Sequence, residues 1–178
     1  MLKRKIRPLA VAFLILSVVS LAHAQEAFTV DVPGATFTRV LGLNAQGDVC
    51  GGTQLNGVRL AFAASRQADF TDVTTFAYPG SVFTQCRGIN AIGQMVGVYQ
   101  SADTVSHGFV KDGSEFISID VPGAIDTRAF GIDPRGQIVG RYTSPDGVIH
   151  GFFWMGGILE DGRALVADMG KELHAQFG

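Results

Sequence analysis

The sequence predicts an all-β protein built from three tandem four-stranded antiparallel repeats. Three observations carry that expectation. A 24-residue block recurs three times without a gap: VDVPGATFTRVLGLNAQGDVCGGT from Val30 to Thr53, FAYPGSVFTQCRGINAIGQMVGVY from Phe76 to Tyr99, and IDVPGAIDTRAFGIDPRGQIVGRY from Ile119 to Tyr142. Each block carries a Pro-Gly pair and then an Asn/Asp-x-x-Gly loop, two signals that punctuate short strands. Two apolar residues also stand side by side after each loop, as in a strand covered on both faces. Pro33, Pro79 and Pro122 are 46 and 43 residues apart, and Gly47, Gly93 and Gly136 keep those intervals. A fixed interval of this size marks one supersecondary unit copied along the chain.

The elements follow in chain order. Lys3, Arg4, Lys5 and Arg7 precede an apolar run from Leu9 to Leu16 that continues through Val18, Val19 and Leu21. Ala22-His23-Ala24 then places small residues where a leader peptidase cuts, so residues 1–24 read as a secretory signal peptide. The run is short for a membrane span, which needs about 20 residues. No membrane association is expected once it is removed. Residues 25–155 form the three-repeat domain, with repeats at about 27–69, 70–114 and 115–155, and residues 156–178 are a C-terminal segment.

Within a unit, strand a ends at Pro-Gly, because proline has no N–H to give to a ladder. Val30-Asp31-Val32 and Ile119-Asp120-Val121 are examples. Strand b runs from Thr38, Thr84 or Thr127 to Leu43, Ile89 or Ile132. A loop follows, opened by Asn44, Asn90 or Asp133 and closed by Gly47, Gly93 or Gly136. The Asn or Asp side chain accepts local backbone hydrogen bonds, and the glycine takes the positive φ that closes a hairpin. Strand c holds Val49-Cys50, Met95-Val96 and Ile138-Val139; strand d holds Leu60-Ala61-Phe62, His107-Gly108-Phe109 and His150-Gly151-Phe152.

Paired apolar residues on strand c require that neighbouring units sandwich it. The predicted architecture is therefore a propeller-like partial ring, with a β-trefoil-like three-fold barrel as the alternative. About four blades or more usually close a ring, so three imply an open arc or a ring completed by further copies of the chain. After Trp154, Gly157 to Asp161 could begin another unit. Leu165, Val166, Met169 and Leu173 have the spacing of a short amphipathic helix that caps an end.

The motif G-I-N-x-x-G-Q-x-V-G-x-Y followed by H-G-F resembles the extracellular repeat of the HAF family. Its residues here are Gly88-Ile89-Asn90, Gly93-Gln94, Val96-Gly97, Tyr99 and His107-Gly108-Phe109. The third copy carries Gly131-Ile132-Asp133, Gly136-Gln137, Val139-Gly140, Tyr142 and His150-Gly151-Phe152-Phe153-Trp154. The first copy departs, with Leu60 in the His position and Cys50 in the Val position. The likeness spans about Phe28 to Trp154. It implies an exported protein of tandem propeller-like repeats and brings no catalytic residue with it.

The chemistry-bearing residues point to structure more than to catalysis. His107 and His150 occupy equivalent places but lack the further ligands a metal needs, so each is expected to bond within its own unit. Asp31 and Asp120 precede Val-Pro-Gly, where a carboxylate accepts backbone N–H groups. Cys50 and Cys86 are the two cysteines of a chain bound for an oxidising compartment. A disulfide between the first two units and a pair of buried thiols both fit them. No catalytic, cofactor or metal site is expected.

Losing four of 14 basic residues with the leader leaves 10 against 16 acidic ones, a formal charge of −6 instead of −2. No basic cluster is evident in the sequence, which argues against a nucleic-acid partner. The expected function is that of a secreted or periplasmic binding or scaffold module for a glycan or protein. The alternatives are a polysaccharide hydrolase using Asp31, Asp120 or Asp126, or a fragment of a longer repeat array.

Overall fold

A computed structural model describes residues 27–154. The expected signal peptide and the expected C-terminal strand or helix lie outside those residues. The described chain is all-β, with one short 3-10 turn at Arg66–Ala68 and no α-helix. Its strands are β1 (Phe37–Leu43), β2 (Val49–Leu55), β3 (Val58–Ala64), β4 (Val73–Phe76), β5 (Phe83–Ile89), β6 (Met95–Gln100), β7 (Ser106–Asp112), β8 (Glu115–Ile119), β9 (Asp126–Ile132), β10 (Ile138–Thr143) and β11 (Ile149–Trp154).

Two recurrent loops set these boundaries. At Pro-Gly the chain makes a turn closed by Ala35 N–H to Val32 O, Ser81 N–H to Tyr78 O and Ala124 N–H to Val121 O. Gly34, Gly80 and Gly123 take φ near +77°, at 77°, 76° and 77°, a conformation that costs a side chain but not glycine. The repeated threonine then closes the loop. Thr38, Thr84 and Thr127 each accept, on Oγ1, the N–H of the residue before proline at 3.1, 3.0 and 3.2 Å. In the second loop, Oδ1 of Asn44, Asn90 or Asp133 accepts two N–H groups, two and four residues ahead. Asn and Asp are interchangeable in this role because both present a carbonyl-type acceptor.

The strands form three antiparallel meanders. β2 lies between β1 and β3, and β4 pairs with β3. β5 to β8 repeat this order, and β9, β10 and β11 make a three-stranded sheet. A single parallel pair, Arg59 with Phe83, joins the first two meanders into one continuous eight-stranded sheet. The strands that open the meanders, β1, β5 and β9 (the inner strands), never pair with one another, and β5 alone pairs outside its own meander, through Arg59 and Phe83. No barrel closes, which corrects the three-fold barrel alternative.

The pairing also shifts the unit. The strand that opens a sequence repeat (β4 or β8) completes the sheet of the repeat before it. Val30 to Val32, expected as a strand, run without a ladder, because no strand d precedes them among the described residues. Val32 and Val30 instead pack over Val49, Phe62 and Ala64.

The core lies between the meanders. Cys50, Ala61, Cys86 and Ile89 fill the first junction; Val96, Val110, Ile119, Ala129 and Ile138 fill the second. Burying each aliphatic side chain contributes about 1.5–3 kcal/mol. Strand c is sandwiched in the first two copies, where Cys50 and Val96 are both 0% exposed. Their equivalent Val139 is 47% exposed, beside Ile149 and Phe153 on the same face. Val96 is sealed by Ala129 and Ile138 of the following meander, and among the described residues no meander follows the one that contains Val139.

Candidate functional site

The inner strands β1, β5 and β9 lie next to one another, so equivalent residues of three units come together along one edge. Glycine permits the approach. A Cβ on Gly42 would lie 2.9 Å from the carbonyl oxygen of Arg87, and one on Gly88 2.9 Å from that of Phe130. At the end of this edge the loop residues form a ladder. The Asn44 side-chain amide donates to the carbonyl of Asn90 at 3.2 Å, and the Asn90 amide donates to the carbonyl of Asp133 at 3.0 Å. A disulfide between Cys50 on β2 and Cys86 on β5 ties the first two units, their Cα atoms 5.7 Å apart.

Four arginines gather on the same edge: Arg39 on β1, Arg87 on β5, Arg128 on β9 and Arg141 beside it on β10. Arg128 and Arg141 face each other across the β9–β10 ladder and share the Asp126 carboxylate, at 2.9 and 4.0 Å. The Arg87 guanidinium lies over the Phe130 ring, 5.1 Å from its centroid, and its Nε is buried without a hydrogen-bond partner. Burial pushes the Arg87 pKa below its ordinary value, and the charges of Arg128, Arg141 and Arg39 push the same way. Like charges held this close are costly unless a counter-charge joins them. Among the described residues, Asp126 is the one carboxylate ion-paired with any of the four.

Sequence reasoning missed this cluster. Its signal was the recurrence of Thr-Arg at 38–39 and 127–128. Arg87 and Arg141, however, replace apolar or small residues of the other copies, and only the fold brings them near.

The other candidate residues occupy separate settings. His107 Nδ1 is 2.7 Å from Asp120 Oδ1, Nε2 is 3.5 Å from the Ser101 hydroxyl, and the ring stacks on Tyr99. His150 repeats the contacts with Ser144 at 3.2 Å and with the Tyr142 ring. An Asp-His-Ser sequence of contacts is also the order of a nucleophilic triad. Here the Ser101 hydroxyl hydrogen already goes to Asp103 at 2.8 Å, closing a turn that Ser144 and Asp146 repeat. Tyr99 is itself held, stacked on Tyr78 and bonded to Ser118 at 2.9 Å. Burial foremost pushes its phenol up to about 12.

Asp31 is exposed, Asp120 serves His107 and Ser118, and Asp126 serves Arg128. Glycoside hydrolysis needs a facing pair of carboxyl groups; Asp120 and Asp126 are each held by side chains of their own surroundings. His150 bonds within its own repeat, as expected, whereas His107 reaches across the repeat boundary to Asp120, because the strand that opens the third repeat pairs back onto β7; among the described residues no group of three metal-binding side chains includes them. No family model, curated protein or solved structure matches the chain.

Proposed function

We propose that the chain is an exported, non-catalytic binding or scaffold module of propeller-like repeats, related in design to the HAF-type extracellular repeat. Its ligand is a glycan or protein met outside the cell or in the periplasm. The observation that carries this reading is the shared inner edge. Three units locked side by side by the Asn44–Asn90–Asp133 bonds and the Cys50–Cys86 bridge offer side chains from each to a single ligand. Rigid frames presenting loops and edges suit recognition, because little ordering remains to oppose binding. The exposed face of Val139, Ile149 and Phe153 favours a second copy that continues the ring. A glycan array and an extracellular-protein pull-down with the chain lacking residues 1–24 test the proposal. Saturable capture of a glycan or protein ligand is expected, and an empty screen at millimolar glycan overturns it.

A further inference from the structure

We infer that the cluster of Arg39, Arg87, Arg128 and Arg141 is the binding site for an acidic glycan, a refinement that rests on the binding-module reading above. Four arginines from three units gather on this edge, and the single carboxylate ion-paired among them, Asp126, serves Arg128 and Arg141, in a chain whose formal charge is −2 overall. The positive charge is therefore local and not a property of the whole surface, and it draws anions to this edge. Each guanidinium presents planar, paired N–H donors that match the two oxygens of a carboxylate or sulfate. Arg39 is exposed and, among the described residues, forms no ion pair, so donor capacity remains for a ligand.

Arginines contributed by three successive strands, β1, β5 and β9, suit anionic groups repeated along a polymer more than one small ion. Phe130, 37% exposed and beside Arg87, adds an apolar ring against which a sugar face can rest. Uronate-type carboxylates and sugar sulfates share the required chemistry, and a test can separate them.

The chain lacking residues 1–24 is titrated with polygalacturonate, dextran sulfate and neutral dextran of matched length, and with single-stranded DNA. The variants are Arg39→Gln, Arg87→Gln and Arg59→Gln, the last an exposed arginine of β3 outside the cluster. One acidic polymer binds and neutral dextran does not, and the affinity falls as salt rises. Arg39→Gln and Arg87→Gln each weaken binding about tenfold or more. Arg59→Gln leaves it unchanged. The polymer that binds tells carboxylate from sulfate. Arg39 is solvent-exposed, so its variant decides the matter even where Arg87→Gln lowers the melting temperature. Equal binding of neutral dextran, equal affinity for DNA, or full affinity in Arg39→Gln overturns the inference. Capture of a neutral glycan or a protein with no acidic polymer bound overturns this site alone and leaves the binding-module reading standing. A screen empty of every ligand overturns both.

Discussion

The side-chain amide of Asn90 reaches the main-chain carbonyl of Asp133 in the next unit, 3.0 Å away. Asn44 makes the equivalent bond to Asn90. The third residue of the series is an aspartate, which cannot donate, so the ladder of amides stops there. One side chain thus performs two tasks: its oxygen accepts the N–H groups of its own turn, and its nitrogen reaches the neighbouring unit while also donating to the side chain four residues ahead.

These tasks are separable by mutation. Asn90→Asp keeps the acceptor for the Ile92 and Gln94 N–H groups and loses the amide's donation to the Asp133 carbonyl together with its bond to the Gln94 side chain. It also buries a carboxylate at a position only 3% exposed. The variant is expected to lose about 1–3 kcal/mol in urea unfolding. Asp133→Asn keeps its own turn and should stay within about 0.5 kcal/mol of the parent. Equal losses at both positions would argue that the inter-unit bond carries no weight.

Close approach of the inner strands makes a second asymmetry. Gly88→Ala places a methyl 2.9 Å from the Phe130 carbonyl oxygen and 3.0 Å from Gly131 Cα, both backbone atoms that cannot swing away. A loss of about 1–3 kcal/mol is expected. At the equivalent Gly131 the nearest atom is a Val139 methyl at 3.2 Å. Gly131→Ala should cost under about 1 kcal/mol, since that side chain can shift. Thermal melts of the two variants side by side check the difference.

The Cys50–Cys86 bridge closes a 36-residue separation. On chain-entropy grounds its removal should cost about 4 kcal/mol. Cys50→Ala/Cys86→Ala and reduction of the parent by dithiothreitol should lower the urea midpoint alike. Cys50→Val/Cys86→Ala borrows the residues of the third copy, Val139 and Ala129, and should recover part of the loss by refilling the junction. A midpoint indifferent to reductant would show that packing alone holds the first two units.

Asp126 predicts an acid limb. Burial raises its pKa, but the hydrogen bond and charge of Arg128, with Ser106 and Arg141, outweigh burial and leave it below the ordinary 3.8. A group whose folded value is lowered contributes stability above its unfolded value and loses it as pH falls through the folded one. The parent should therefore keep a level midpoint above about pH 5 and decline below about pH 4. Asp126→Asn should start lower at neutral pH and decline less steeply. Parallel curves would remove Asp126 from the account.

Much of the fold was legible because its punctuation is local. Pro-Gly and Asn-x-x-Gly each encode a turn within five residues, so the strand order b, c, d could be read directly. The pairing of β4 with β3 and of β8 with β7 was not legible, because a repeat in sequence carries no mark of which neighbour its first strand will join. The same limit hid the arginines. Arg87 aligns with Leu41 and Phe130, and Arg141 with Gly52 and Val98, so neither looks like part of a set until the inner strands lie together. The Asn-to-Asp change at 133 was visible, but the bond between units that gives it meaning, from the Asn90 amide to the Asp133 carbonyl, joins residues 43 apart in the chain.

Since β4 and β8 finish the sheets that precede them, the seams of the sequence and the seams of the sheets never coincide, like bricks laid in running bond. A break at a unit boundary therefore strips the preceding sheet of its outer strand and leaves a raw edge there. Adding or excising one whole period, at any phase, lets every joint overlap again, so such an array can change its number of copies more easily than it can tolerate a cut between them.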